Sequence, residues 1–144
     1  MAATRTAEVT WEGDLAHGAG RFTVGSGALG EQEVTWASRT ERSEGKTSPE
    51  ELIAAAHSSC FAMALSNGLA EAGTPPERLV ISAAVTIEPG VGITTSKLSV
   101  NGRVPGMDAA AFEQAANTAK EGCPVSGALK GNVEISLDAK LDEQ

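Results

Sequence analysis

Ser48-Pro49-Glu50-Glu51-Leu52-Ile53-Ala54-Ala55-Ala56-His57-Ser58-Ser59-Cys60-Phe61-Ala62-Met63-Ala64-Leu65-Ser66-Asn67 decides how this chain is read. It starts as a helix starts. Ser48 suits the N-cap, and Pro49 fits the first helical position, where a missing N–H costs nothing. Glu51 stands three residues after the cap and completes the pattern of a capping box. From Leu52 to Leu65 the apolar residues run around the whole helix, and no side chain is formally charged unless His57 is protonated. A helix apolar on every side is one that other protein buries on every side, so a long buried central helix is expected. One sheet and one short helix cannot cover all of it, and part is expected to pack on a second subunit. Cys60, in its middle, is either a small core residue or a reactive thiol.

Outward from this helix, the chain reads as strands joined by turns. Thr6 to Glu12, Arg21 to Val24 and Gln32 to Ala37 form an N-terminal meander, broken at Glu12-Gly13-Asp14, His17-Gly18-Ala19-Gly20 and Gly25-Ser26-Gly27. A charged loop, Arg39 to Lys46, leads into the helix, which should stop at Gly73 ahead of Pro75 and Pro76. Leu79 to Glu88 and Ile93 to Val104 read as a hairpin around Pro89-Gly90-Val91-Gly92. Asp108 should cap a helix over Ala109 to Glu121, ended by Gly122. Val133 to Leu141 alternates as the last strand. The order is β-β-β-α-β-β-α-β, an α+β architecture in one domain over residues 1–144.

Composition narrows the function. A net charge of −8 disfavours nucleic acid and anionic membranes as partners. No apolar run is expected to reach the ~20 residues that span a bilayer. Met1 to Arg5 lead into the first strand without a signal-peptide core, which implies a cytoplasmic setting. In a reducing cytoplasm the two cysteines are inert thiols, metal ligands or a redox pair.

A thiol attacks only as thiolate, and burial opposes that form. Cys60 lies too far along its helix for the N-terminal dipole to help, so by itself it reads as inert. Reactivity requires a cation from elsewhere. His57 shares its face three residues earlier, as an imidazolium partner, a second metal ligand or simply a core histidine. Two ligands fall short of a closed metal site. Arg42 and Lys46 read as solvated loop residues. Arg39, ending the apolar run Val34-Thr35-Trp36-Ala37, is held more firmly, and a guanidinium can serve a thiolate and a carboxylate together. Glu50, unneeded by the cap, is the free carboxylate, or else a surface acid favoured by the helix dipole. Cys123, between Gly122 and Pro124, is expected to be the more mobile thiol. One fixed and one mobile thiol would suit a sulfenate and its resolving partner. No glycine-rich nucleotide loop is present.

Trp11-Glu12-Gly13-Asp14-Leu15, Gly18-Ala19-Gly20, Trp36-Ala37-Ser38-Arg39, the helix from Ser48 to Ser66 and Cys123-Pro124-Val125-Ser126 together resemble the osmotically inducible OsmC proteins. They resemble that branch more than the sister organic-hydroperoxide-resistance branch. The resemblance covers nearly the whole chain; Ser48 stands where many members have Asn, and both cap helices. It implies an intertwined homodimer with active sites at the interface, needing no cofactor or metal. It also implies a thiol peroxidase that reduces organic hydroperoxides, and hydrogen peroxide more weakly. In that picture Cys60 attacks the peroxide, Cys123 resolves the sulfenate as a disulfide, and an external dithiol, lipoyl in the sister branch, recycles it. Arg39 orients the Cys60 thiolate while pairing with Glu50 across the interface, and His57 packs nearby. A different class, a small-molecule or lipid-binding or redox-sensing dimer without turnover, is the alternative.

Overall fold

The computed structural model describes residues 1–142 of the 144. The chain forms two compact units, Met1–Leu52 and the part from Ile53 onward.

In the first unit, β1 (Ala7–Glu12), β2 (Ala19–Val24) and β3 (Gln32–Val34) form an antiparallel meander in the order β1-β2-β3. The Trp-Glu-Gly-Asp-Leu and Gly-Ala-Gly motifs sit at its first turn. Trp11 pairs with Gly20 across the strands, and its indole N–H donates to the Gly13 carbonyl at 2.9 Å. A Cβ on Gly20 would lie 2.8 Å from the Trp11 ring, so the glycine makes room for the indole.

The expected third strand stops early. Trp36 and Ala37 belong instead to a short helix, α1 (Trp36–Thr40), which also carries Arg39. Thr35 ends the β-conformation by capping it. Its hydroxyl accepts the Ser38 N–H at 3.0 Å, and the Ser38 hydroxyl accepts the Thr35 N–H at 2.9 Å. The apolar run hid a Thr-x-x-Ser cap.

The long helix α2 spans Pro49–Glu71. Ser48 Oγ accepts the Glu51 N–H at 3.1 Å, as the cap requires. Glu51 takes its other bond from the Thr47 hydroxyl at 2.8 Å, one residue before the reciprocal partner expected. At the other end Gly73 adopts φ +87°, with Thr74 N–H on the Leu69 carbonyl and Gly73 N–H on that of Ala70. That is the paired bonding of a Schellman stop.

The second unit holds β4 (Arg78–Glu88), β5 (Gly92–Arg103) and β6 (Glu134–Leu141), ordered β4-β5-β6. β4 and β5 are the expected antiparallel hairpin. β6 runs parallel to β5, the crossover being made by α3 (Ala109–Gly122) and α4 (Pro124–Leu129). Asp108 caps α3 through the Ala111 N–H at 2.8 Å. α4 was not foreseen: Pro124 is its first residue, where proline starts a helix as readily as it stops one.

The core joins Phe61, Leu65 and Leu69 of α2, Leu98 and Val100 of β5, and Phe112 and Ala116 of α3. Each fully buried leucine or phenylalanine contributes about 1.5–3 kcal/mol. The expectation of burial on every side of α2 fails within one chain. From Ile53 on, the helix buries one stripe, His57-Phe61-Leu65-Leu69, while Met63 is 73% exposed. The expectation that no segment matches a membrane span fails as well, because α2 is long and apolar enough to cross one. Its polar residues are too few to break the apolar average. Its buried stripe nevertheless sits among sheet and helix side chains, as a core helix does.

Candidate active site

In the second unit, Cys60 and Cys123 come together. Both are free thiols, Cys60 half-buried in the middle of α2 and Cys123 buried between α3 and α4. They lie close enough for each to shift the ionisation of the other. Burial raises the Cys60 pKa above the usual thiol value and the neighbouring Cys123 raises it further, partly offset by the Val125 backbone. Burial also opposes the Cys123 thiolate, but the neighbouring Cys60 thiol and the polar groups of Ser126 and Val125 favour it by more. The Cys123 pKa is therefore lowered. Cys123 is the N-cap residue of α4, and its side chain makes no cap hydrogen bond.

This revises one expectation. Cys123 is 1% exposed and ties two helices together, so it is the more enclosed thiol, not the more mobile one. The glycine and proline beside it mark a helix-to-helix corner packed in the interior.

His57 is fully buried, with Nδ1 2.7 Å from Ser96 Oγ and Nε2 2.8 Å from Ser126 Oγ. Burial lowers its pKa, so the ring is neutral near pH 7. This is the satisfied core histidine weighed above. With both nitrogens engaged it has none to offer a metal, and no three His, Cys, Asp or Glu side chains gather among the described residues. The two serines escaped sequence reading. Ser126 stood in the Cys123-Pro124-Val125-Ser126 motif without a role. Ser96 could have been found as a polar residue on the same face of β5 as Leu98 and Val100.

In the first unit, Arg39 and Glu50 form a fork. Arg39 Nε lies 3.1 Å from both Glu50 carboxylate oxygens and Nη2 lies 2.9 Å from Oε2. Glu50 is buried and Arg39 partly exposed. The pair closes within one chain, where an interface-spanning pair was expected; helix α1 turns Arg39 toward the start of α2. The guanidinium carbon also stands 5.9 Å above the centre of the Trp36 ring. Trp11, Leu15, Trp36 and Arg39 line a cleft of about 100 Å³, so both tryptophan motifs converge on the arginine.

Residues 42–138 match the family model described as OsmC-like protein. Peroxiredoxin OsmC of Escherichia coli (strain K12) is 42% identical over 144 residues, covering 98% of this chain and 99% of that protein. Organic hydroperoxide resistance protein OhrB of Bacillus subtilis (strain 168) is 31% identical over 141 residues, covering 94% and 97%. The crystal structure of the Bacillus subtilis OhrB superposes with a TM-score of 0.71 at 27% identity, over 94% of this chain and 98% of the other.

Proposed function

This chain belongs to the OsmC-like protein family, and on that footing we propose that it is a cysteine-based peroxidase that reduces organic hydroperoxides to alcohols. The observation that carries the reading is the juxtaposition of two free thiols, Cys60 and Cys123, far apart in sequence and beside an apolar core. The names of the relatives, a peroxiredoxin and organic hydroperoxide resistance proteins, support the same chemistry.

In the proposed cycle the Cys60 thiolate attacks the peroxide oxygen. An S–O bond forms, the O–O bond breaks, and the alkoxide leaves as alcohol after taking a proton. Cys123 then attacks the Cys60 sulfur, forming the disulfide and releasing hydroxide, which is protonated to water. Thiol–disulfide exchange with an external dithiol, lipoyl or similar, restores both thiols. Arg39, aligned by Glu50, is the cation assigned to the Cys60 thiolate, which its own helix does not stabilise. Apolar surroundings favour alkyl hydroperoxides over hydrogen peroxide.

A second copy of the chain is assigned to the open side of α2. A groove of about 570 Å³ runs there, lined by Ala62, Met63, Ala70 and Leu79, and apolar surface of this kind is what a homodimer covers. The redox cycle belongs in a reducing cytoplasm that regenerates the thiols.

One equivalent of cumene hydroperoxide tests the reading. The intact mass should fall by two hydrogens, with both thiols lost; Cys60→Ser should abolish turnover. Retention of both thiols by the wild-type protein would refute it. Steady-state rates with cumene hydroperoxide should exceed those with hydrogen peroxide under a dithiol reductant.

A further inference from the structure

Helix α4 meets the interior through a polar side chain. Among the described residues of α4, Ser126 alone is buried, and its hydroxyl lies 2.8 Å from Nε2 of His57 on α2. The other ring nitrogen, Nδ1, lies 2.7 Å from the hydroxyl of Ser96 on β5, which is fully buried too. Either tautomer satisfies both bonds, one serine donating and the other accepting, so the contact holds whichever nitrogen carries the proton. Its neighbours are apolar: Phe61, Leu65 and Leu69 continue the α2 stripe, and Leu98 and Val100 continue the β5 face. Apolar side chains at these three positions would pack without the desolvation that buried polar groups cost. A hydrogen bond adds what apolar contact lacks, a fixed distance and direction. Apolar surfaces tolerate sliding.

The two thiols stand one helical turn from the His57–Ser126 bond. Cys60 follows His57 by three residues on α2, and Cys123 precedes Ser126 by three at the start of α4. The Cys123 backbone is tied into the helices on both sides of it. Its N–H donates to the Ala119 carbonyl of α3 at 2.9 Å, and its carbonyl accepts the Gly127 N–H of α4 at 3.0 Å. A shift of α4 along α2 therefore carries Cys123 with it. We propose that His57 and Ser126 are positioning residues that clamp α4 to α2, with Ser96 fixing the imidazole, and so hold Cys123 within reach of the oxidised Cys60. The inference rests on the reading that Cys60 is oxidised first and Cys123 resolves it. In the step concerned, the Cys123 thiolate forms the S–S bond as the Cys60 S–O bond breaks. Cys123 sulfur is oxidised and the sulfenic sulfur reduced. The proton that Cys123 gave up joins the leaving hydroxide as water, so no outside reductant is needed. No proton passes through the clamp; it sets the effective concentration of one sulfur at the other.

Single-turnover kinetics on the full-length reduced protein, with one equivalent of cumene hydroperoxide, test the clamp. Ser126→Ala and His57→Leu should each close the disulfide about three- to tenfold more slowly, measured against Cys60 oxidation in the same sample. Sulfenate trapped by dimedone should accumulate in both. Because both changes break the same bond, the double variant should be no slower than the slower single one. Gly102→Ala, which crowds Phe112 six residues along β5 from Ser96, should close at the wild-type ratio and so separates positioning from general loosening. Closure at the wild-type ratio in Ser126→Ala, slowing that multiplies in the double variant, or equal slowing in Gly102→Ala would overturn the proposal. If His57→Leu does not fold, Ser126→Ala against Gly102→Ala decides it alone. If wild-type protein forms no disulfide at all, the peroxidase reading itself fails, which is a different result.

Discussion

Cys60 and Cys123 lie close enough to shift each other's ionisation in opposite senses, the Cys60 pKa raised and that of Cys123 lowered, so the first proton to leave the pair leaves from the residue assigned to resolve rather than attack. Two sulfurs this close titrate as a pair in two steps. Negative charge on Cys123 then opposes a thiolate on Cys60. In Cys123→Ser that charge is gone, and the pH midpoint of Cys60 oxidation by cumene hydroperoxide should move down from the wild-type value. Rapid-quench mass spectrometry across pH reads it. An upward move would mean that Cys123 favours the Cys60 thiolate instead of opposing it.

His57 makes stability depend on pH with a definite sign. Burial holds its folded pKa below the ordinary 6.5 that it recovers on unfolding. Well above pH 6.5 both states are neutral at this residue, and it contributes no pH dependence. Below it, the unfolded chain binds a proton that the fold refuses, so stability falls as pH falls toward the folded pKa. The loss is limited to about 1.4 kcal/mol per pH unit for one proton. Urea midpoints at pH 7.5 and 5.5 should differ in this direction, and His57→Gln should flatten the difference. An unchanged slope in that variant would assign the acid sensitivity to carboxylates.

The strands, the long helix and both of its ends were legible in the sequence because they rest on local signals. The Ser48 cap bonds only within its turn, the Gly73 stop needs only a positive φ, and alternation marks β4 and β6. The short helices were not legible, because each begins where a local signal is ambiguous. Thr35 follows an apolar strand, and Pro124 follows a helix-ending glycine. The polarity of the thiol pair was out of reach for a different reason. It depends on Ser126 and Val125, which sit more than sixty residues from Cys60 and come near it only in the folded chain. The same holds for His57, whose partners lie on β5 and α4.

At Gly102 of β5 the Phe112 ring of α3 leaves no room for a side chain. A Cβ there would stand 2.5 and 2.6 Å from Phe112 ring atoms and 3.3 Å from Leu79, all in the core. Gly102→Ala must push the ring aside and should cost about 1–3 kcal/mol. Gly30→Ala, with nothing within 4 Å of the added carbon, is the control and should stay within about 0.5 kcal/mol of wild type. Denaturant midpoints compare the two; equal values would mean that Phe112 has free room to move.

Arg39 and Glu50 test whether their fork is structural as well as functional. Glu50 is 5% exposed, so removing the guanidinium leaves a buried carboxylate without its partner. Loss of one member of such a pair costs about 3–5 kcal/mol when both are buried, and less here because solvent reaches Arg39. Arg39→Ala should therefore destabilise the protein by about 1–3 kcal/mol. Arg39→Lys keeps the charge but loses the paired Nε and Nη2 donors, and should recover only part of that. The double variant Arg39→Ala/Glu50→Ala should be more stable than Arg39→Ala alone, because it removes the carboxylate that was stranded. Strict additivity of the two single changes in urea unfolding would mean that the fork contributes nothing to the fold, and would leave alignment of Arg39 for the thiolate as its only proposed use.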